Sequence, residues 1–188
     1  MSPRLALVLA VLVPCLAAGP AAATRVVHMD TKALVHESSA IVIGQVEGTR
    51  AHWNERHTKI VTDVDVRVTQ ALKGAPGERV TLTQLGGDLD GMRYEVPGSP
   101  LFARGEEALL FLWRDTKGRT QVNGLAQGKF DIRRDPATGE RLVQRSLPGL
   151  AIGDTRSLGP ARAGGAAPRI PLDALVGEIQ RALAEDGR

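Results

Sequence analysis

The sequence predicts a mainly β protein, an antiparallel barrel or sandwich of short strands with a short helix near its start and an amphipathic helix near its end. Three observations lead there. From Ile60 to Thr69 apolar and polar residues alternate with period two, the pattern of a strand with one wet face. Ile41 to Val46 and Ala108 to Trp113 are unbroken apolar runs of strand length, suited to burial on both faces. Helical spacing is confined to one stretch near each end.

Taken in order, TRVVHMDTKALVHESSAIVIGQVEG reads as a short strand, a helical turn or two, and a second strand. Asp30 is placed to cap a helix over Thr31 to Glu37, because its carboxylate accepts orphan backbone N–H groups; Leu34 and Val35 would face the core. Gly44 marks a bend or bulge in the strand that follows. GTRAHWNERHTKI supplies two strand ends around a polar Asn54-Glu55-Arg56 turn. In the alternating strand, Ile60, Thr62, Val64, Val66 and Val68 share one face, while Asp63, Asp65 and Arg67 face solvent. Lys73 to Gly77 ends it, and Val80 to Leu85 resumes as a shorter strand. GGDLDGMRYEVPGSPLFARGEE is rich in loops, with a strand at Met92 to Val96. Ala108 to Trp113 is the central strand. Gly128 to Arg133 and Glu140 to Arg145 flank an Asp135-Pro136-Ala137-Thr138-Gly139 turn as a hairpin. Gly, Ala, Pro and Arg dominate residues 151–169, which predicts a mobile linker. Beyond it, Leu172, Leu175, Val176, Ile179 and Leu183 lie at helical spacing, with Asp173 near the positive end. Such a helix is expected to pack on its own domain.

The first residues, MSPRLALVLAVLVPCLAAGPAAATRVV, have the layout of a secretory signal peptide. Arg4 supplies a basic start, Leu5 to Ala18 an apolar run, and Ala21-Ala22-Ala23 a cleavage site. The run is shorter than the roughly 20 residues a bilayer needs and is broken by Pro14, so no stable membrane span is expected. Cys15 is the sole cysteine, and Pro14 stands where lipoprotein signals carry a small residue, so lipidation is not expected. A processed chain would then be cysteine-free in an oxidising compartment, resting on its apolar core. The expected organisation is signal peptide 1–23, domain 24–150, linker 151–169 and helix 170–188. A formal charge of +3 and only six Phe, Trp and Tyr residues argue against nucleic acid, which needs dense basic patches and stacking platforms.

SSAIVIGQVEG, VTDVDVRVTQALKG, VTLTQLGG and FARGEEALLFL together resemble the netrin-like module that tissue inhibitors of metalloproteinases share with bacterial secreted relatives. The features that match are a hydrophobic-Lys-Gly corner, Leu72-Lys73-Gly74, and a Gly105-Glu106 pair introducing the apolar strand Leu109 to Trp113. The resemblance covers about Ser38 to Trp113 and implies an OB-like five-stranded barrel. Tissue inhibitors grip a protease zinc through an N-terminal cysteine. No cysteine lies near Thr24, so that mechanism is not carried over.

Asp88-Leu89-Asp90-Gly91 has the spacing of the start of a calcium loop, against which stands a plain Asp-Gly turn. His52 and His57 flank the Asn54 turn with Trp53 between them; a zinc site would need a further ligand, and His28 and His36 lie on other elements. Asp63 and Asp65 could mimic an acid/base pair, but Arg67 beside them favours a charge ladder. Ser99 lacks the setting of a nucleophile elbow, and Ser38 and Ser39 read as helix-end residues. Arg156, Arg162 and Arg169 are spread through the linker as solubilising charge. Trp53, Trp113 and Phe111 are core or hairpin-packing candidates; an exposed Trp53 would be the best partner anchor.

The expected function is non-catalytic binding of a protein by a secreted or periplasmic module, through Trp53, His52 and His57, with no cofactor. Two alternatives stay open. One is a metal-dependent hydrolase or divalent-cation-binding protein using the Gly86–Gly91 loop through Asp88 and Asp90. The other is a protease inhibitor that works without cysteine.

Overall fold

The computed structural model describes residues 24–147, 150–153, 162–163 and 166–186; the expected leader, with Cys15, and Arg156 lie outside them. In chain order the elements are β1 (Thr24–Val27), α1 (Thr31–Glu37), β2 (Ala40–Trp53), β3 (Ile60–Lys73), β4 (Arg79–Leu85), β5 (Gly87–Leu89) and β6 (Met92–Tyr94). There follow β7 (Glu107–Arg114), β8 (Thr120–Val122), a 3₁₀ turn (Leu125–Gly128), β9 (Lys129–Arg134) and β10 (Arg141–Gln144). The last are β11 (Leu150–Gly153), β12 (Arg162–Ala163), β13 (Ile170–Pro171) and α2 (Leu172–Asp186). Asp30 caps α1 as expected, its Oδ1 accepting from Ala33 N at 2.8 Å. Among the described residues, no helix is long and apolar enough to cross a membrane.

Five strands close into an OB-like barrel. β2, β3 and β4 run antiparallel in sequence, β4 meets β8 in parallel at Leu82 and Thr120, and β7 joins β8 back to β2. Its interior holds Val42, Val46, Val64, Val66, Leu82, Ala108, Leu110 and Leu112. The opposite faces of β2 and β7 carry Ile41, Ile43, Leu109 and Phe111 into a second core, with α1, β9, β10 and α2. This explains the unbroken apolar runs: both strands separate two cores. From α2, Leu172, Leu175, Ile179 and Ala182 are buried there, so the helix does pack on its own domain.

The far edge of β7 is divided. Residues Glu107 to Leu110 pair with β9, and Leu112 to Arg114 pair with β8. Because β9 has left β7 at Leu110, the layer covering Leu109 and Phe111 stops short of Trp113. That residue is exposed rather than in the core. Lys129, at the start of β9, is buried in this seam. Its ammonium lies 3.0 Å from Glu106, bonds to Asp131, and sits 5.1 Å from the centre of the Phe102 ring.

Both motif corners have structural roles. Leu72 packs against the helix-side core, and Lys73 Nζ donates to Val35 O at 2.6 Å, satisfying a carbonyl in the last turn of α1. Gly74 has φ +72°, and a Cβ there would meet Ser39 O at 2.6 Å, so the corner needs glycine. Gly105 N donates to Val46 O and Val46 N to Glu106 O, extending the β2–β7 ladder.

Two stretches depart from expectation. The strand expected at Met92 to Val96 ends at Tyr94. Within 151–169, β11 pairs in parallel with β1 and β12 pairs with β11, and Ala166 bridges Ser146. Pairing through the backbone asks little of side chains, so small-residue composition conceals it.

Candidate functional site

The candidate residues gather at the end of the barrel formed by the β2–β3 turn. Asn54 closes it, its N donating to Lys59 O at 2.9 Å and its Oδ1 accepting from Thr58 N at 2.9 Å. The Trp53 ring stacks on His57, with centroids 6.3 Å apart and planes at 19°. His52 faces the other way. Its Nε2 lies 3.1 Å from Asp63 Oδ2 and its Nδ1 2.9 Å from Trp53 O. The three sequence neighbours are thus split, two on one face and one on the other.

Alternation along the strand makes that split, and a bulge sets which side faces inward. The β2 register shifts between Val46 and Gly48, so the inward side passes from Val42 and Val46 to Thr49, Ala51 and Trp53, opposite Val64, Thr62 and Ile60. On the outward side, Asp63 accepts from Thr83 Oγ1 at 2.9 Å and Asp65 from Thr81 Oγ1 at 2.7 Å. Glu47 takes Arg79 at 3.0 Å and Arg67 at 3.7 Å. This is the charge ladder the alternation predicts, its acids committed to neighbouring strands.

The Gly86–Gly91 loop forms a hairpin of β5 and β6. Asp90 and Gly91 both have positive φ, +51° and +76°, which makes a type I′ turn. Asp88 and Arg93 stand opposite each other in a two-pronged ion pair of 2.8 and 2.9 Å. Hydrogen bonding to the Arg93 guanidinium holds the Asp88 carboxyl below its ordinary range. Both Asp88 oxygens are occupied by Arg93 and Asp90 sits in the turn. Among the described residues, no three His, Cys, Asp or Glu side chains come together as a metal site.

Gly86 and Gly87 fold this hairpin back against the β2–β3 end. Thr62 Oγ1 donates to Gly86 O at 2.7 Å and Gly86 N to Ile60 O at 3.0 Å. Gly87 has φ +140°, and a Cβ there would lie 2.3 Å from Thr62 Oγ1 and 3.2 Å from the Ala51 methyl. Gly87→Val is therefore expected to cost about 1–3 kcal/mol and to lift the hairpin away. Limited proteolysis should cut the variant between Asp88 and Glu95 while sparing the rest; an uncut hairpin would refute this docking.

Between the hairpin and the segment Glu95 to Leu101 lies a cleft of about 590 Å³, lined by Gln84, Leu85, Tyr94, Val96, Pro100 and Leu101 among others. The segment is braced, with Ser99 N donating to Val96 O at 3.0 Å and Ala126 N to Gly98 O at 2.9 Å. Leu101 is 73% exposed; Leu85 and Tyr94, also exposed, line the same cleft, and the exposed Met92 lies on β6 with Tyr94. Among the described residues, the buried Gln84 Oε1 finds no hydrogen-bond partner. Ser99 lines the cleft, but no histidine does. Leu85, Met92, Tyr94 and Leu101 are not marked in the sequence, because an exposed apolar residue on a short strand or in a loop looks no different from a buried one.

No family model matches the chain, and no curated protein matches it.

Proposed function

We propose that this chain is a secreted or periplasmic, non-catalytic binding module of netrin-like build whose partner is a protein. The observation that carries the reading is the cleft with its exposed apolar rim, Leu85, Tyr94 and Leu101, with Met92 two residues from Tyr94. Large apolar side chains held in water around a concavity favour a protein surface that covers them. The outward face of β3 and β4, where OB barrels take oligonucleotides, carries Asp63, Asp65, Thr81 and Thr83, two arginines (Arg67 and Arg79) paired with Glu47, and no aromatic ring, which speaks for protein over nucleic acid. The netrin-like reading draws on the five-stranded ring and the two corners, Leu72-Lys73-Gly74 and Gly105-Glu106. Export draws on the leader pattern of residues 1–23.

Capture from secreted material by the immobilised protein tests this, with Tyr94→Ser/Leu101→Ser and Trp53→Ala run in parallel. The wild type is expected to retain a partner that the double variant retains at least about tenfold less. No retained partner, or equal retention by the double variant, would refute the reading. A retained protease whose activity falls on binding would make the module an inhibitor.

A further inference from the structure

β2 is paired on both edges only as far as Val46. Ala40 to Gln45 pair with β7, and Val46 bonds to Gly105 and Glu106. From Gly48 to Trp53 it is paired with β3 alone, and among the described residues no strand occupies the other edge. Two bonds fix which groups point outward. Asn54 N donates to Lys59 O across the turn, and Gly86 N donates to Ile60 O on the far side of β3. Antiparallel pairs alternate, so Arg50 and His52 exchange bonds with Asp63 and Val61. Thr49, Ala51 and Trp53 turn their N–H groups outward, together with the carbonyls of Thr49 and Ala51. The Trp53 carbonyl is met by His52 Nδ1.

Such a row is a template for another strand, and proteins commonly blunt it with proline, lysine or a covering segment. Thr49 to Trp53 contains neither proline nor lysine; the bulge before Gly48 and the Arg50 charge flank the row without covering it. We propose that this edge takes an extended segment of the partner as an added strand, with a carboxylate-bearing residue on the side of Arg50 and His52. The inference rests on the protein-binding reading of this end of the barrel and names the form of the bound partner. The backbone row dictates an extended chain. Charge dictates its composition: the Arg50 side chain is 73% exposed and only 3.5 Å from its nearest acid, Asp63, so its remaining donors favour an acidic residue and repel a lysine. On the other face Ala51 already lies against Gly87 of the β5–β6 hairpin, and Trp53 offers an aromatic flank.

The test is amide NMR of the isotope-labelled protein titrated with the blocked peptide Val-Glu-Val-Glu-Val. Val-Lys-Val-Lys-Val and an N-methylated form of the acidic peptide serve as comparisons. The acidic peptide is expected to shift the Thr49, Ala51 and Trp53 amides saturably and to slow their exchange with solvent. Thr49→Pro removes an outward N–H without touching a bond to β3 and should weaken binding by about tenfold, with the rest of the spectrum unchanged. Arg50→Glu should reverse the preference between the two charged peptides. Silence of the three amides, equal binding of the N-methylated peptide, or undiminished binding by Thr49→Pro would each overturn the proposal. Partner capture that persists in Thr49→Pro but is lost in Tyr94→Ser/Leu101→Ser refutes the edge and leaves the module reading standing. Peptide addition without any captured partner does the reverse.

Discussion

Replacing Lys129 with methionine is expected to lower the stability of the protein by about 3–5 kcal/mol, toward the lower figure because solvent reaches part of the cluster. The Lys129 side chain is 8% exposed, and its ammonium is the only cation set between Glu106 and Asp131 in the described structure, their side chains 15% and 28% exposed. Methionine keeps an apolar stem but removes the ammonium that faces Phe102, and leaves two carboxylates facing each other in the seam where β9 parts from β7. Taking two charges out of water is tolerable only while an opposite charge answers them. Urea denaturation with an unchanged slope would measure the loss. Adding Glu106→Gln and Asp131→Asn should recover much of it, since neutral amides do not repel. A loss below about 1 kcal/mol would mean that water already screens the cluster.

Phe111→Ala is expected to cost about 3–5 kcal/mol, the sum of lost apolar burial and a cavity that the neighbours fill only in part. Phe111 is fully buried, its ring centre 5.9 Å from that of Phe130, in the same core as Leu34, Leu175 and Ile179. The gap would open beneath both helices, so far-UV circular dichroism should follow the same weakened transition as fluorescence. Phe111→Leu, which keeps most of the volume, should cost less than about 1.5 kcal/mol. Equal losses for the two variants would point to strain in β7 instead of a void.

What could be read from the sequence was what depends on near neighbours. Alternation exposed β3, the apolar runs exposed β2 and β7, and helical spacing exposed α2. Asp30 was legible as a cap because its acceptor and the Ala33 amide lie within one turn. What could not be read depends on distant partners. β8 is three residues long and owes its existence to Leu82 and to β7 on either side. Lys129 looks like a surface lysine until Glu106 and Phe102 arrive around it. Trp113 continues an apolar run, and only the departure of β9 leaves it in water. For the site, Trp53, His52 and His57 were found as neighbours; alternation sets His52 against Trp53, but which of them faces inward depends on the shift between Val46 and Gly48, which leaves no mark on composition. Asp88 and Asp90 suggested ligands by spacing; Arg93 took the first and the turn took the second.

The shared wall formed by β7 has a thermodynamic corollary. Since the barrel interior and the helix-side core lean on opposite faces of the same strand, neither can melt while the other stays intact. A calorimeter should record one heat-absorption peak whose two-state enthalpy equals the measured one. The amides of Leu109 and Phe111 should swap their protons for deuterons more slowly than any at the β5–β6 hairpin, and only when the entire chain opens.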